Sequence, residues 1–311
     1  MSIVFRSNGK LLISGEYLVL RGALALALPL RLGQSLEVQR DEAHGHPHLL
    51  WTALAPGGKH WFKTSFELPS FDIIGTDDRQ KSAKLQTVLL TLMSLNSGLF
   101  DHRYSYKIVT RLDFEPHWGL GSSSTLIASL ARWAKCDPYT LLNLSIGGSG
   151  YDVACASSSK PILYRRDGIK PVIQQTTFYP SFHEQLYFVY QGQKQDSNHE
   201  IVNFNRLTEN IDLTELIREV SEISMKMAAT DDSDVFGSLM REHESLLSGL
   251  LKIPPVNTFF PDFAGQLKSL GAWGGDFMLA LSDKGEAYVR EYFAGQQLET
   301  IFTFKELAIH G

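Results

Sequence analysis

Between an alternating stretch at 104–112 and a helical pattern at about 123–135 stands Gly119-Leu120-Gly121-Ser122-Ser123-Ser124. Glycines let backbone N–H groups approach an anion closely. A helix beginning directly behind them adds its own unpaired N–H groups and the positive end of its dipole. The segment therefore reads as a loop between a strand and a helix. Its three serines supply hydroxyls that can donate to phosphate or ligate Mg²⁺. It lacks the Gly-Lys-Ser/Thr ending of a Walker loop. Taken alone, it suits a serine-capped helix after a glycine turn as well as a phosphate site.

The surrounding chain alternates between the two kinds of element. Leu11-Leu12-Ile13 and Tyr17-Leu18-Val19-Leu20 read as short β runs around Ser14-Gly15-Glu16, and Gln34–Gln39 has the period of a half-buried strand. Leu85, Val88, Leu89, Leu92 and Leu95 predict a helix over 79–99. Asp137-Pro138 opens a short helix to Leu144. Strands are expected at 162–164, 172–174, 186–190 and 278–281, and helices at 211–229, 235–251 and 284–293. A change of pattern near residue 190 divides the chain into an N-terminal part, 1–190, and a smaller α+β part, 191–311.

Composition narrows the partners. Apolar residues make up 43% of 311, enough to bury a core. The net charge of −5 argues against nucleic acid, whose phosphate backbone needs a basic face. The longest apolar run, Gly22–Leu30, is far short of the roughly 20 residues of a membrane span. With no export signal at the N-terminus and only Cys136 and Cys155, the expectation is a cytoplasmic chain with no membrane partner. His44, His46 and His48 read as a solvated loop, not a metal site. Cys155 reads as a small buried residue.

Two further glycine loops follow. Gly147-Gly148-Ser149-Gly150 leads to Tyr151-Asp152, whose carboxylate either caps a helix or meets a substrate hydroxyl. Gly271-Ala272-Trp273-Gly274-Gly275-Asp276 precedes a strand and reads as a tight turn or a close approach to a ligand.

In order and spacing these segments resemble the GHMP kinases, the galactose, homoserine, mevalonate and phosphomevalonate kinases. Asn8-Gly9-Lys10-Leu11-Leu12-Ile13-Ser14-Gly15-Glu16-Tyr17 is similar to the first motif of that family, Pro116–Ser124 to its phosphate-binding second motif, and Lys268–Asp276 to its third. The resemblance implies an α+β fold, with an N-terminal domain like ribosomal protein S5 domain 2 and a ferredoxin-like C-terminal domain. It implies an enzyme using ATP and Mg²⁺. ATP would lie on Gly119, Leu120, Gly121, Ser122, Ser123 and Ser124, with Ser123 at the metal. Asp152 and Lys10 would be the catalytic pair, Asp152 as base or orienter of the acceptor hydroxyl. Glu16, Gly271, Ala272, Trp273 and Gly274 would form the substrate and phosphate loops, although Glu16 also reads as a support for the loop at Lys10 or as a surface carboxylate. The partners expected are a small-molecule substrate and, at most, a second copy of the chain.

The sequence departs from the family pattern in several places. Asn8 stands for Pro, Ser124 for Ala, Trp273 for Gly and Leu270 for Ser or Thr. Mevalonate kinases carry a Mg²⁺-binding Glu where this chain has Leu141. Trp273 is expected to narrow the space beside the phosphates or to face the substrate. Tyr17 after Glu16 leans toward the phosphomevalonate branch, which needs cations such as Lys84, Arg111 or Lys194 for its phosphorylated acceptor. Two alternatives stand beside the kinase. A diphosphomevalonate decarboxylase usually has Ala at Gly121. A binding protein without catalysis would explain Leu141 and Trp273.

Overall fold

The long strand Ala25–Glu42 pairs with three other strands. The computed structural model describes residues 2–168, 170–192, 197–271, 273 and 276–309. They form two units. The first holds the chain up to Gly9, Leu32–Pro116 and Gly121–Ser157; the second holds Lys10–Arg31, His117–Leu120 and the chain from Ser158 onward. Residue 190 lies inside the second unit.

In the first unit the elements are β1 (Ser2–Ser14, which leaves the unit after Gly9), β2 (Ala25–Glu42, which enters it at Leu32), β3 (His48–Leu54), β4 (His60–Glu67), β5 (Ile73–Thr76), α1 (Arg79–Leu95), β6 (Tyr104–Leu112), α2 (Ser122–Ala134), α3 (Pro138–Ser145) and α4 (Tyr151–Ser157). The strands run in the order β5-β4-β3-β6-β2, with β1 also on β2. Only the β3–β6 pair is parallel among those with a described register. Gly33 lets β1 lie against β2, since a Cβ there would fall 2.2 Å from the Ser7 carbonyl oxygen. Leu85, Leu89 and Leu92 of α1, Ile127 and Leu130 of α2, and Leu141 of α3 pack with Trp51, Phe66 and Ile108 of the sheet. Asp78 and Asp137 cap α1 and α3 by accepting N–H bonds from Lys81 (2.9 Å) and Thr140 (2.7 Å).

The second unit adds β7 (Ile162–Arg165), β8 (Val172–Gln175), β9 (Leu186–Tyr190), α5 (Ser197–Leu207), α6 (Thr214–Ala229), α7 (Ser233–Leu251), β10 (Gln266–Leu270), β11 (Phe277–Leu281), α8 (Gly285–Gly295), β12 (Ile301–Thr303) and α9 (Phe304–Leu307). Here Ala25–Ala27 of β2 pair with β7, and β7 with β8. A separate antiparallel sheet runs β10-β11-β9-β12. Val289 and Phe293 of α8 pack with Leu267, Met278 and Val189 from this sheet. The α+β class is borne out, with one large sheet and one small one. Among the described residues no helix is long and apolar enough to cross a membrane.

One local expectation changes. The run Tyr17–Leu20 is not a strand: Gly15 (φ 92) and Tyr17 (φ 61) turn the chain, and Leu18–Arg21 coils into a 3₁₀ turn closed by Gly22 (φ 90). The segment after Gly150 is a short helix, α4, with Val153–Ala156 buried.

Candidate functional site

The second unit brings together parts of the three segments that resemble the family motifs: Lys10–Tyr17, Gly119–Leu120 and the segment that begins at Lys268. The Lys10 N–H donates to the Leu120 carbonyl at 3.0 Å, tying β1 to the serine loop. Gly119 has φ +71, and a Cβ there would lie 2.5 Å from the Asp276 carboxylate. Asp276, just ahead of β11, therefore stands directly on the first glycine of the loop. The Tyr190 hydroxyl donates to the His117 carbonyl at 3.1 Å, and Trp118 meets Phe302 edge to face at 5.4 Å. Residues 117–120 thus rest on the ends of β9, β11 and β12. Burial, and then the Asp276 charge, push the Tyr190 phenol up.

In the first unit α2 begins without a side-chain cap. Its N-cap is Gly121, φ 99. The hydroxyls of Ser124 and Thr125 turn back to the Gly121 carbonyl, each at 2.9 Å, so they do not reach the first-turn N–H groups. Ser123 is exposed and Ser122 half-buried. A helix start left open in this way suits an anion. Asp152 lies half-buried in the first turn of α4, which packs against α2, and its Oδ1 accepts the Val153 N–H at 3.0 Å. The structure thus groups Gly121, Ser122, Ser123, Ser124 and Asp152 in one unit, and Lys10, Glu16, Gly119, Leu120, Gly271 and Trp273 in the other. Ala272, Gly274 and Lys194 lie outside the described residues.

Glu16 is not a surface carboxylate. It is completely buried, and Lys268 Nζ donates to its Oε1 at 2.5 Å. Burial pushes its carboxyl up, against the opposing pull of Lys268. Trp273 does not stand open beside a ligand: it is 3% exposed, within a cluster of Tyr17, Leu18, Phe204, Leu247 and Leu250. Its backbone N–H donates to the Tyr17 hydroxyl at 3.1 Å. Tyr17 also lines a cleft of about 560 Å³ with Glu200, Asn203, Phe204, Arg206, Leu207, Leu251 and Ile253. Arg111, one of the cations considered for a phosphorylated acceptor, is engaged by Glu37 at 3.0 Å.

Sequence reasoning missed the groups around Glu16. His243 and Glu244 are buried on α7, and Lys268 is buried on β10. A signal was present in α7, since Phe236, Met240, His243 and Leu247 share one stripe at helical spacing. Leu141 is fully buried in the first core. Among the described residues no three His, Cys, Asp or Glu side chains gather as a metal-binding group.

No family model matches the chain, and no curated protein matches it in sequence. Solved structures do match it. L. major mevalonate kinase in complex with R-mevalonate aligns over 99% of this chain and 96% of its own, at TM-score 0.69 and 16% identity. Streptococcus pneumoniae phosphomevalonate kinase in complex with phosphomevalonate and AMPPNP aligns over 96% and 99%, at 0.68 and 17%. The chain has the GHMP kinase fold. Lactococcus lactis galactokinase complexed with galactose shares it over 100% of this chain and 94% of its own, at 0.66 and 12%. These neighbours act on different acceptors, so the GHMP kinase fold by itself selects none of them.

Proposed function

We propose that the protein is an ATP-dependent small-molecule kinase that passes the γ-phosphoryl group to a hydroxyl or phosphate acceptor, mevalonate or phosphomevalonate. The observation that carries this reading is the uncapped start of α2 behind Gly119-Leu120-Gly121. Backbone N–H groups at such a start hold phosphate oxygens without side-chain charge. Ser122 and Ser123 add hydroxyl donors on the same turn. The exposed Ser123 hydroxyl suits Mg²⁺, which takes oxygen ligands and completes its shell with phosphates and water instead of an all-protein cage. When bound, the ion would supply charge neutralisation on the phosphate oxygens. Asp152 would accept or orient the acceptor proton, and Lys10 would offset negative charge on the transferred group.

The acceptor assignment draws on the solved neighbours that hold R-mevalonate and phosphomevalonate, and on Tyr17 beside its cleft. A second reading, a nucleotide-binding protein without transfer, is favoured by the apolar Leu141. One experiment separates them: ATP turnover with a panel of mevalonate-pathway acceptors, with the product phosphate located by ³¹P NMR. Phosphorylation of mevalonate or phosphomevalonate is the expected result. ATP binding without phosphorylation of any acceptor would move the assignment to the second reading.

A further inference from the structure

The first glycine of the phosphate loop has a carboxylate against it. In the second unit, Oδ2 and Oδ1 of Asp276 lie 2.5 and 2.7 Å from the place of a Cβ on Gly119. Oδ2 also lies 3.6 Å from the place of a Cβ on Gly271. Both glycines have positive φ, 71 and 72. Asp276 thus sits where Gly119-Leu120 meets the third glycine segment, and it is 6% exposed.

The backbone on both sides fixes this meeting. Asp276 immediately precedes β11, and its carbonyl accepts the Gln191 N–H at 2.9 Å. The next residue, Phe277, pairs with Tyr190 in the ladder of β11 and β9. The loop is held in turn by the Lys10 N–H on the Leu120 carbonyl at 3.0 Å and by the Tyr190 hydroxyl on the His117 carbonyl at 3.1 Å. A stem of one methylene rooted beside a ladder leaves the carboxylate little room to withdraw from Gly119.

Electrostatics then opposes a bare phosphate on this loop. Backbone N–H groups are neutral donors, and glycine brings no charge. A carboxylate repels a phosphate oxygen, more strongly where protein replaces water. Hydrogen bonds to a carboxylate orient it without removing its charge. Lys268, the cation of the third motif, donates to Glu16 Oε1 at 2.5 Å and to the Ser269 carbonyl at 2.9 Å, so its charge is already matched. The Asp276 charge is felt at the neighbouring strand, where it adds to burial in pushing the Tyr190 phenol up. A divalent cation carried by the phosphate changes the sign of the interaction. The ligand then brings positive charge to the carboxylate, an oxygen group of the kind Mg²⁺ accepts.

We propose that Asp276 is a specificity-determining residue of the phosphate loop, which makes the loop reject metal-free nucleotide and accept cation-paired nucleotide. The proposal rests on the kinase reading, which supplies the nucleotide.

Calorimetric titration of the full chain with ATP, in EDTA and in excess Mg²⁺, tests it without turnover. The wild type should bind Mg·ATP at least tenfold tighter than metal-free ATP, roughly the effect of one nearby like charge. Asp276→Asn keeps the shape and removes the charge. It should bind metal-free ATP about tenfold tighter than the wild type does, and Mg·ATP within about threefold of the wild type, so that the preference collapses. Asp283→Asn removes the same charge from an exposed position beyond the other end of β11 and should change neither affinity. An unchanged preference in Asp276→Asn, or an equal shift in Asp283→Asn, overturns the proposal. Equal affinities for ATP and Mg·ATP in the wild type overturn it without any variant. The kinase reading fails separately. ATP bound with the expected preference but passed to no acceptor supports the role of Asp276 and refutes transfer; transfer with an unchanged preference in Asp276→Asn does the reverse. No binding of ATP under either condition overturns both.

Discussion

Replacing Trp273 separates two opposing terms at one buried ring. The indole is 3% exposed among Tyr17, Phe204, Leu247 and Leu250, and its Nε1 is buried with no hydrogen-bond partner among the described residues. Trp273→Ala removes the whole ring from a packed cluster and should cost about 3–5 kcal/mol. Trp273→Phe removes the equivalent of two or three methylenes, about 2 kcal/mol at ~0.8 kcal/mol each. It also removes a buried donor that lacks an acceptor, a penalty of about 1–3 kcal/mol. The two terms nearly cancel, so Trp273→Phe should lie within about 1 kcal/mol of the wild type. The backbone N–H bond to the Tyr17 hydroxyl is available to both variants. Urea unfolding, compared at equal slope, measures both. A Phe variant about 2 kcal/mol less stable than the wild type would show that the orphan N–H costs nothing. An Ala variant as stable as the wild type would show that the ring is not part of the core.

Four other substitutions have defined expectations. Ser123→Ala should weaken Mg·ATP binding by roughly 1.5–3 kcal/mol while leaving circular dichroism unchanged, with calorimetric titration in Mg²⁺ and in EDTA as the measure. Gly119→Ala places a Cβ 2.5 Å from the Asp276 carboxylate at φ +71, so nucleotide affinity should fall, and shortening the facing side chain by Asp276→Ala should recover part of the loss. Lys268→Met takes the one cation out of a fully buried set and should destabilise the protein by about 3–5 kcal/mol in the same urea assay. If Lys10 and Asp152 serve one transfer event, Lys10→Met and Asp152→Asn should each depress turnover, and the double variant should be little worse than the poorer single one; additive losses would mean separate roles.

The legible parts of the chain are those whose own residues decide the outcome. Strand β6 coincides with its predicted limits, Tyr104–Leu112, because polar and apolar residues alternate with no glycine or proline to interrupt them. Helix α1 follows from Asp78 as a cap and a leucine-rich face. The glycine-serine loop leads into α2 as its composition requires. Legibility ends where distant segments decide. Tyr17–Leu20 has a strand's composition, yet the φ values at Gly15 and Tyr17 are sustained by α7 and β10. Local pattern also misses α4, since Tyr151–Ser157 is too short to show a helical period.

The buried charges show the same division within a single helix. The apolar stripe Phe236, Met240, Leu247 predicts that position 243 faces a core, and an imidazole placed there must find a partner. That requirement can be read from the sequence; the partner cannot. His243 is met by the Gly15 N–H and by Glu16, which lie at the other end of the chain. Lys268 likewise looks like a flank of the third glycine segment until its Nζ is seen on Glu16. The first and third motifs are thus joined by a buried hydrogen bond as well as by their order in the chain. A substitution at Lys268 is therefore expected to act on the turn at Tyr17 first and on any ligand only through it.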